Sequence, residues 1–244
     1  MLQTCKNCGA AVDNEYCPVC GQKTSTSRFT MKHLAHDFIH GFYHVDHGIF
    51  FTAKELLVNP GKMLRDYLSG HRVRYFNPFT FILLVGSLGA FLLLKIKWQS
   101  YFIDIGLFSS KAVDQEVWNS SLKHYSFRLL GSILLYSLIT KSFYYKKKYN
   151  FSENLIANTF LRGELSIIIF IFSPIAVLLQ PIDANGIFKT AIIIFMLLYM
   201  AWAYAGLFDG RITISTIAKA FFVSLVATLV ESVILNFIIL KNPL

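Results

Sequence analysis

The feature that most constrains this chain is the length of its apolar runs. About 20 consecutive apolar residues cross a hydrocarbon core. Five stretches approach that length: residues 76–96, 125–144, 161–179, 187–208 and 217–240. In lipid, such a run must satisfy its backbone internally, which favours helices. No ten-residue alternating pattern of a spanning barrel is present. The fold expected is therefore an all-α membrane protein with about five transmembrane helices. Composition agrees, since charged residues make up 15% of the chain against about 25% in soluble domains.

Three segments are expected: a zinc ribbon over 1–24, a His-rich amphipathic and juxtamembrane segment over 25–75, and a transmembrane bundle over 76–244. The opening MLQTCKNCGA carries no apolar leader, so insertion is expected to be directed by an internal span. The net charge of +9 could indicate nucleic acid or a membrane surface. Its distribution favours the membrane. Lys6, Lys23, Arg28, Lys32, Lys54, Lys62, Arg65, Arg72 and Arg74 precede the first run, and Lys141 with Lys146–Lys148 follow the second. Basic residues collect on cytoplasmic segments. This predicts a multi-pass protein of the bacterial inner membrane with a cytoplasmic N-terminus. Arg65, Arg72 and Arg74 are candidates for anionic lipid headgroups; no nucleic-acid partner is expected.

The cysteines are local. Cys5-Lys-Asn-Cys8-Gly9 and Cys17-Pro-Val-Cys20-Gly21 are two C-x-x-C-G knuckles. Each offers two thiolates from a tight turn, and together they form a closed tetrahedral ligand set for structural zinc. The same ligands also suit iron, and a pair of redox dithiols is the other alternative. So short a segment has no core of its own, so the ion is expected to fold it.

A histidine stripe follows. His33, His36, His40, His44 and His47 fall within roughly an 80° arc of one helix. The bland reading is the polar edge of an amphipathic interfacial helix. The sharper readings are a second metal site or a pH-sensing site at His36, His40 and His44. Beyond it, Asn59-Pro60-Gly61 reads as a turn, and Lys62–Leu68 as a short helix capped by Gly70. The whole stretch reads as a connector at the membrane interface.

The succession CKNCG, YCPVCGQK, HDFIHGFYHVDHG and TAKELLVNPGKMLRDYLSGHRVRYFNPF resembles an uncharacterised family of bacterial multi-pass membrane proteins. That domain-of-unknown-function family carries an N-terminal zinc ribbon. The resemblance implies a membrane location and no particular activity.

Ionisable residues within spans are functional candidates by default. Glu231 lies inside the fifth run, while Glu164 and Arg162 lie near the start of the third. The chain has no G-x-S-x-G, H-E-x-x-H or phosphate-loop motif. The favoured function is a non-enzymatic scaffold, assembly or regulatory protein whose ribbon docks a cytoplasmic protein partner. The alternatives are a small permease or channel using Glu231, Glu164 and Arg162, and a metal-dependent enzyme using the His33–His47 stripe.

Overall fold

The computed structural model describes residues 3–31, 48–96, 125–179 and 187–241. The five histidines of the stripe lie outside the described residues, as does the whole segment between the first and second apolar runs.

The N-terminus is a small segment of two cysteine-bearing turns. Strand β1 (Gln3–Thr4) pairs antiparallel with β2 (Ala11–Val12), and Tyr16 bridges to Lys23 around the second knuckle. Its interior is Cys5, Val12 and Cys17. So small a core does not hold a fold without a cross-link or an ion.

The rest is helical. The elements are α1 (Gly48–Val58), α2 (Pro60–Ser69), α3 (Pro78–Ile96), α4 (Tyr125–Phe143), α5 (Phe151–Leu179), α6 (Ile187–Tyr204), a π-helical turn (Ala205–Asp209) and α7 (Ile214–Lys241). Among the described residues, three helical stretches are long and apolar enough to cross a membrane: Phe151–Phe172, Thr190–Asp209 and Ile214–Ile234. Pro78–Gly89 and Leu129–Phe143 are shorter apolar stretches. α3 and α4 both pack along α5, and α6 packs along α7.

The bundle exposes apolar side chains and buries polar ones within an otherwise apolar core. Leu84, Leu88, Leu134, Leu138, Ile194 and Leu198 face outward. Ser137, Thr140, Asn154, Asn158 and Glu164 are buried. Of these, Thr140, Asn154 and Asn158 satisfy one another across helices. Asn158 Nδ2 donates to Thr140 Oγ1 at 3.2 Å, Thr140 Oγ1 donates to Asn154 Oδ1 at 3.1 Å, and Tyr204 Oη donates to Asn158 Oδ1 at 2.6 Å. These bonds tie α4, α5 and α6 together.

Two sequence expectations are corrected. The third run begins ten residues earlier than 161, at Phe151. The polar stretch Asn150–Asn158 reads as a loop only if its side chains face water, and here they face the bundle. A capping box starts the helix: Asn150 Oδ1 accepts from the Glu153 amide, and Glu153 Oε2 accepts from the Asn150 amide, both at 2.8 Å. Glu164 and Arg162 therefore lie well along α5, and Glu164 is about 20 Å from the helix start.

The second correction concerns the connector. α1 ends at Val58, ahead of Pro60 as expected, but Pro60 and Gly61 are not a turn: Pro60 opens α2, at a first-turn position that tolerates its missing N–H. Nor does α2 lie on a surface. Met63, Leu64, Tyr67 and Leu68 are buried in the same core as Phe81, Phe160 and Tyr204. The Tyr67 ring meets Phe160 edge-on at 5.0 Å. Gly61 sits directly on Gly206 of the π turn: a Cβ at Gly61 would lie 2.5 Å from the Gly206 Cα. The outward side of α2 carries Lys62 and Ser69, while that of α1 carries Phe50, Lys54, Leu57 and Val58.

Backbone rather than a flexible side chain opposes any Cβ at Gly61, so Gly61→Ala must separate α2 from the π turn. We expect a loss of about 2 kcal/mol or more, typical of overpacking, read as a fall in melting temperature. Gly131→Ala is the control, since a Cβ there meets nothing within 4 Å.

Candidate metal centre and buried polar groups

The two knuckles are built alike. The Cys5 amide donates to the Ala10 carbonyl at 2.8 Å, and the Gly9 amide to the Cys5 carbonyl at 2.9 Å. The Cys17 amide donates to the Gln22 carbonyl at 2.9 Å, and the Gly21 amide to the Cys17 carbonyl at 2.8 Å. Gly9 (φ 77°) and Gly21 (φ 72°) adopt the left-handed conformation that closes each turn.

The turns bring four sulfurs together. Cys5 Sγ lies 3.6 Å from Cys20 Sγ, and Cys8 Sγ lies 3.5 Å from Cys17 Sγ. All four lie within 4.8 Å of one another. A tetrahedral ion about 2.3 Å from each thiolate needs sulfurs about 3.8 Å apart. The donor set and its spacing thus fit a metal ion. The thiols are already unequal. Backbone amides, chiefly that of Cys8, bring Cys5 down to about 7. At Cys8 the Ala10 amide favours the thiolate, but burial and the neighbouring thiols outweigh it and carry the value up to about 12.

The cysteine-bearing segment is fastened to the helices. Gln22 Oε1 accepts from the Arg72 amide at 3.0 Å and the Val73 amide at 3.4 Å. Lys6 Nζ, inside the first knuckle, donates to the Thr26 carbonyl at 2.9 Å. Arg28 then makes a forked pair with Glu153, Nε to Oε1 at 2.9 Å and Nη2 to Oε2 at 2.6 Å. Asn150 Nδ2 donates to the Phe29 carbonyl at 2.9 Å, and the Phe29 ring stacks on Tyr67 at 5.8 Å. The capping box of α5 thus also anchors the N-terminal arm.

The three arginines proposed for headgroups have different neighbours. Arg72 lies over the Phe29 ring at 3.7 Å and donates from Nη2 to the Ser27 carbonyl at 2.6 Å. Arg74 lies over Phe51 at 5.2 Å and is exposed. Arg65, on α2, is half-buried, and its Nη1 has no hydrogen-bond partner.

Of the three intramembrane candidates, two come together. Arg162 Nη2 meets Glu231 Oε1 at 2.6 Å. Arg162 Nε also donates to Ser132 Oγ at 3.0 Å, and the guanidinium lies over the Tyr136 ring at 4.6 Å. Tyr136 Oη and Thr228 Oγ1 are 2.9 Å apart. The pair therefore links α4, α5 and α7. Glu164 does not join it. It is 1% exposed, and its Oε2 has no hydrogen-bond partner.

Sequence reasoning passed over Arg28, Gln22 and the capping box. The box had a local signal, Asn150-Phe-Ser-Glu153. Arg28 and Gln22 had none, because their partners are 125 and 50 residues away.

A family described as "Protein of unknown function (DUF3667)" matches residues 46–88. That segment holds α1, α2, the turn that receives Gln22, and the first half of α3. No curated protein and no solved structure matches the chain.

Glu231→Gln would leave the Arg162 charge largely buried without its counter-ion, at a cost of about 3 kcal/mol. Replacing both members, Arg162→Met with Glu231→Leu, should recover most of that loss. Additive losses in this double-mutant cycle would show that the two side chains do not interact.

Proposed function

We propose that this chain is a multi-pass protein of the bacterial inner membrane. In this reading five helices span the bilayer, with α3 and α4 as the first and second spans. Residues 1–24 form a zinc ribbon, 25–75 an arm and inserted helices, and 76–244 the spanning bundle. The N-terminus is cytoplasmic, the side favoured by the early basic residues. The outward leucines and inward amides of the bundle support a lipid surround, where interhelical polar contacts replace a hydrophobic driving force. Arg74 and the Lys146–Lys148 run supply basic charge for anionic headgroups.

Zinc is the ion best suited to the four thiolates, and Cys5, Cys8, Cys17 and Cys20 would hold it. When bound it supplies a fixed cross-link and no open coordination position, so its role is structural. The observation that carries the functional reading is the double fastening of this closed site, through Gln22 and through Arg28. The ribbon is a pre-oriented platform on the helices, not a tethered finger. Tyr16 and Val19, 56% and 72% exposed, offer apolar contact for a cytoplasmic protein partner. We therefore read the chain as a non-enzymatic scaffold, assembly or regulatory protein. A permease reading loses support where Arg162 and Glu231 neutralise each other, and keeps it at Glu164.

Purified protein should carry one zinc per chain, and Cys8→Ser with Cys20→Ser should lose it while the helices stay in the membrane fraction. A photo-crosslinking residue at position 19 should capture one discrete protein in cells, and only in the zinc-competent chain. A zinc-free wild type, or the same adducts with and without the cysteines, would refute the platform.

A further inference from the structure

The interior holds two helix interruptions that face each other. The first is the break between α1 and α2. Residue 60 is proline, so the Leu56 carbonyl lacks the N–H that an uninterrupted helix would supply. Tyr199 Oη of α6 donates to that carbonyl instead, at 3.2 Å, and both residues are buried. The second is the π turn that ends α6, which touches the start of α2 at the Gly61–Gly206 contact. In membrane proteins, paired discontinuous helices commonly line ion sites, with half-helix C-termini and freed carbonyls turned toward the cation.

Glu164 lies at the same level. α5 and α6 run antiparallel, with Asn158 bonded to Tyr204 and Phe172 against Phe195. Between these two contacts the register sets Glu164 beside the Tyr199–Met200 turn of α6. The Tyr199 hydroxyl is an electrostatic neighbour of the Glu164 carboxyl. The nearest basic residue on α5, Arg162, is engaged with Glu231 on another side of the helix. On α3, Phe81 and Ile82 crowd Gly163.

The hydrogen-bond inventory at this level is one-sided. Tyr199 spends its only proton on Leu56, so its oxygen presents lone pairs. The Leu56 carbonyl is an acceptor at the negative end of α1. Glu164 Oε2 is an acceptor without a donor. A carboxylate, a phenolic oxygen and a carbonyl are hard oxygen ligands, and one carboxylate matches one positive charge.

We propose that Glu164, Tyr199 Oη and the Leu56 carbonyl form a binding site for a small monovalent metal cation within the bundle. The site is separate from the ribbon in place and in chemistry. It holds whether the cation is carried across the membrane or stays to secure α1 against α6. Glu164 is the charged ligand, and Tyr199 both orients the Leu56 carbonyl and lends its own oxygen.

The test uses the intact, zinc-loaded chain in nanodiscs of zwitterionic lipid. Melting temperature is followed in LiCl, NaCl and KCl against choline chloride at equal ionic strength. One of the three metal cations should raise it saturably by several degrees. Glu164→Gln should abolish that rise, and Tyr199→Phe should weaken the apparent affinity ~10-fold or more. Should Glu164→Gln not fold, Glu164→Asp keeps the charge but withdraws it, and should shift the affinity or the preferred cation. Equal melting in all four salts overturns the proposal, as does an unchanged cation response in these variants. Stability that follows pH but not cation identity also overturns it, since a proton then occupies the carboxyl.

Discussion

The contact between Gly61 and Gly206 is the one on which the rest of the arrangement depends. Two backbones meet there without side chains between them, which only glycine permits. The contact lets α2 enter among α5, α6 and the π turn. Once inside, Met63, Leu64 and Tyr67 complete a core that continues into Phe81 and Phe160. The turn leaving α2 is then placed to receive Gln22, and Tyr67 is placed to stack on Phe29. The cysteine-bearing turns and the arm thus meet the bundle at this inserted helix of ten residues as well as at the start of α5.

That insertion changes the setting of the cysteine knuckles. A four-thiol knuckle pair on a flexible tether would search for partners. Here the arm ends on a forked Arg28–Glu153 pair whose carboxylate is 4% exposed. The same carboxylate caps α5, so docking the arm and starting the long helix use one group. An exposed ion pair contributes little by itself; the buried carboxylate and its three donors, two from Arg28 and one from the Asn150 amide, together with the reciprocal cap, make this one a fixed joint.

Much of this was legible in the chain, in proportion to how local each signal is. The knuckles are read from spacing because ligands three residues apart share a turn. The helices of the bundle are read from apolar length. Three features were not legible in that way. Periodicity shows that α2 has an apolar face, but cannot say whether lipid or protein covers it. Asn154 and Asn158 look like loop residues until a second helix supplies Thr140 and Tyr204 as partners. Arg162 and Glu231 are 69 residues apart, so each reads as an isolated intramembrane charge. In lipid a polar residue marks an interhelical contact as readily as a water-facing segment, and the third run was placed too late for that reason.

The central claim is that α2 is packed inside the bundle and not laid along the membrane surface. It can be tested with the unmodified chain in a bilayer containing a lipid whose acyl chain carries a photoactivated carbene source. The account predicts adducts on outward positions of the spanning helices, such as Leu134 and Leu138, and none on Met63, Leu64 or Tyr67. Adducts on those three residues at a yield comparable to Leu134 would contradict it, because they would put the apolar face of α2 in contact with lipid.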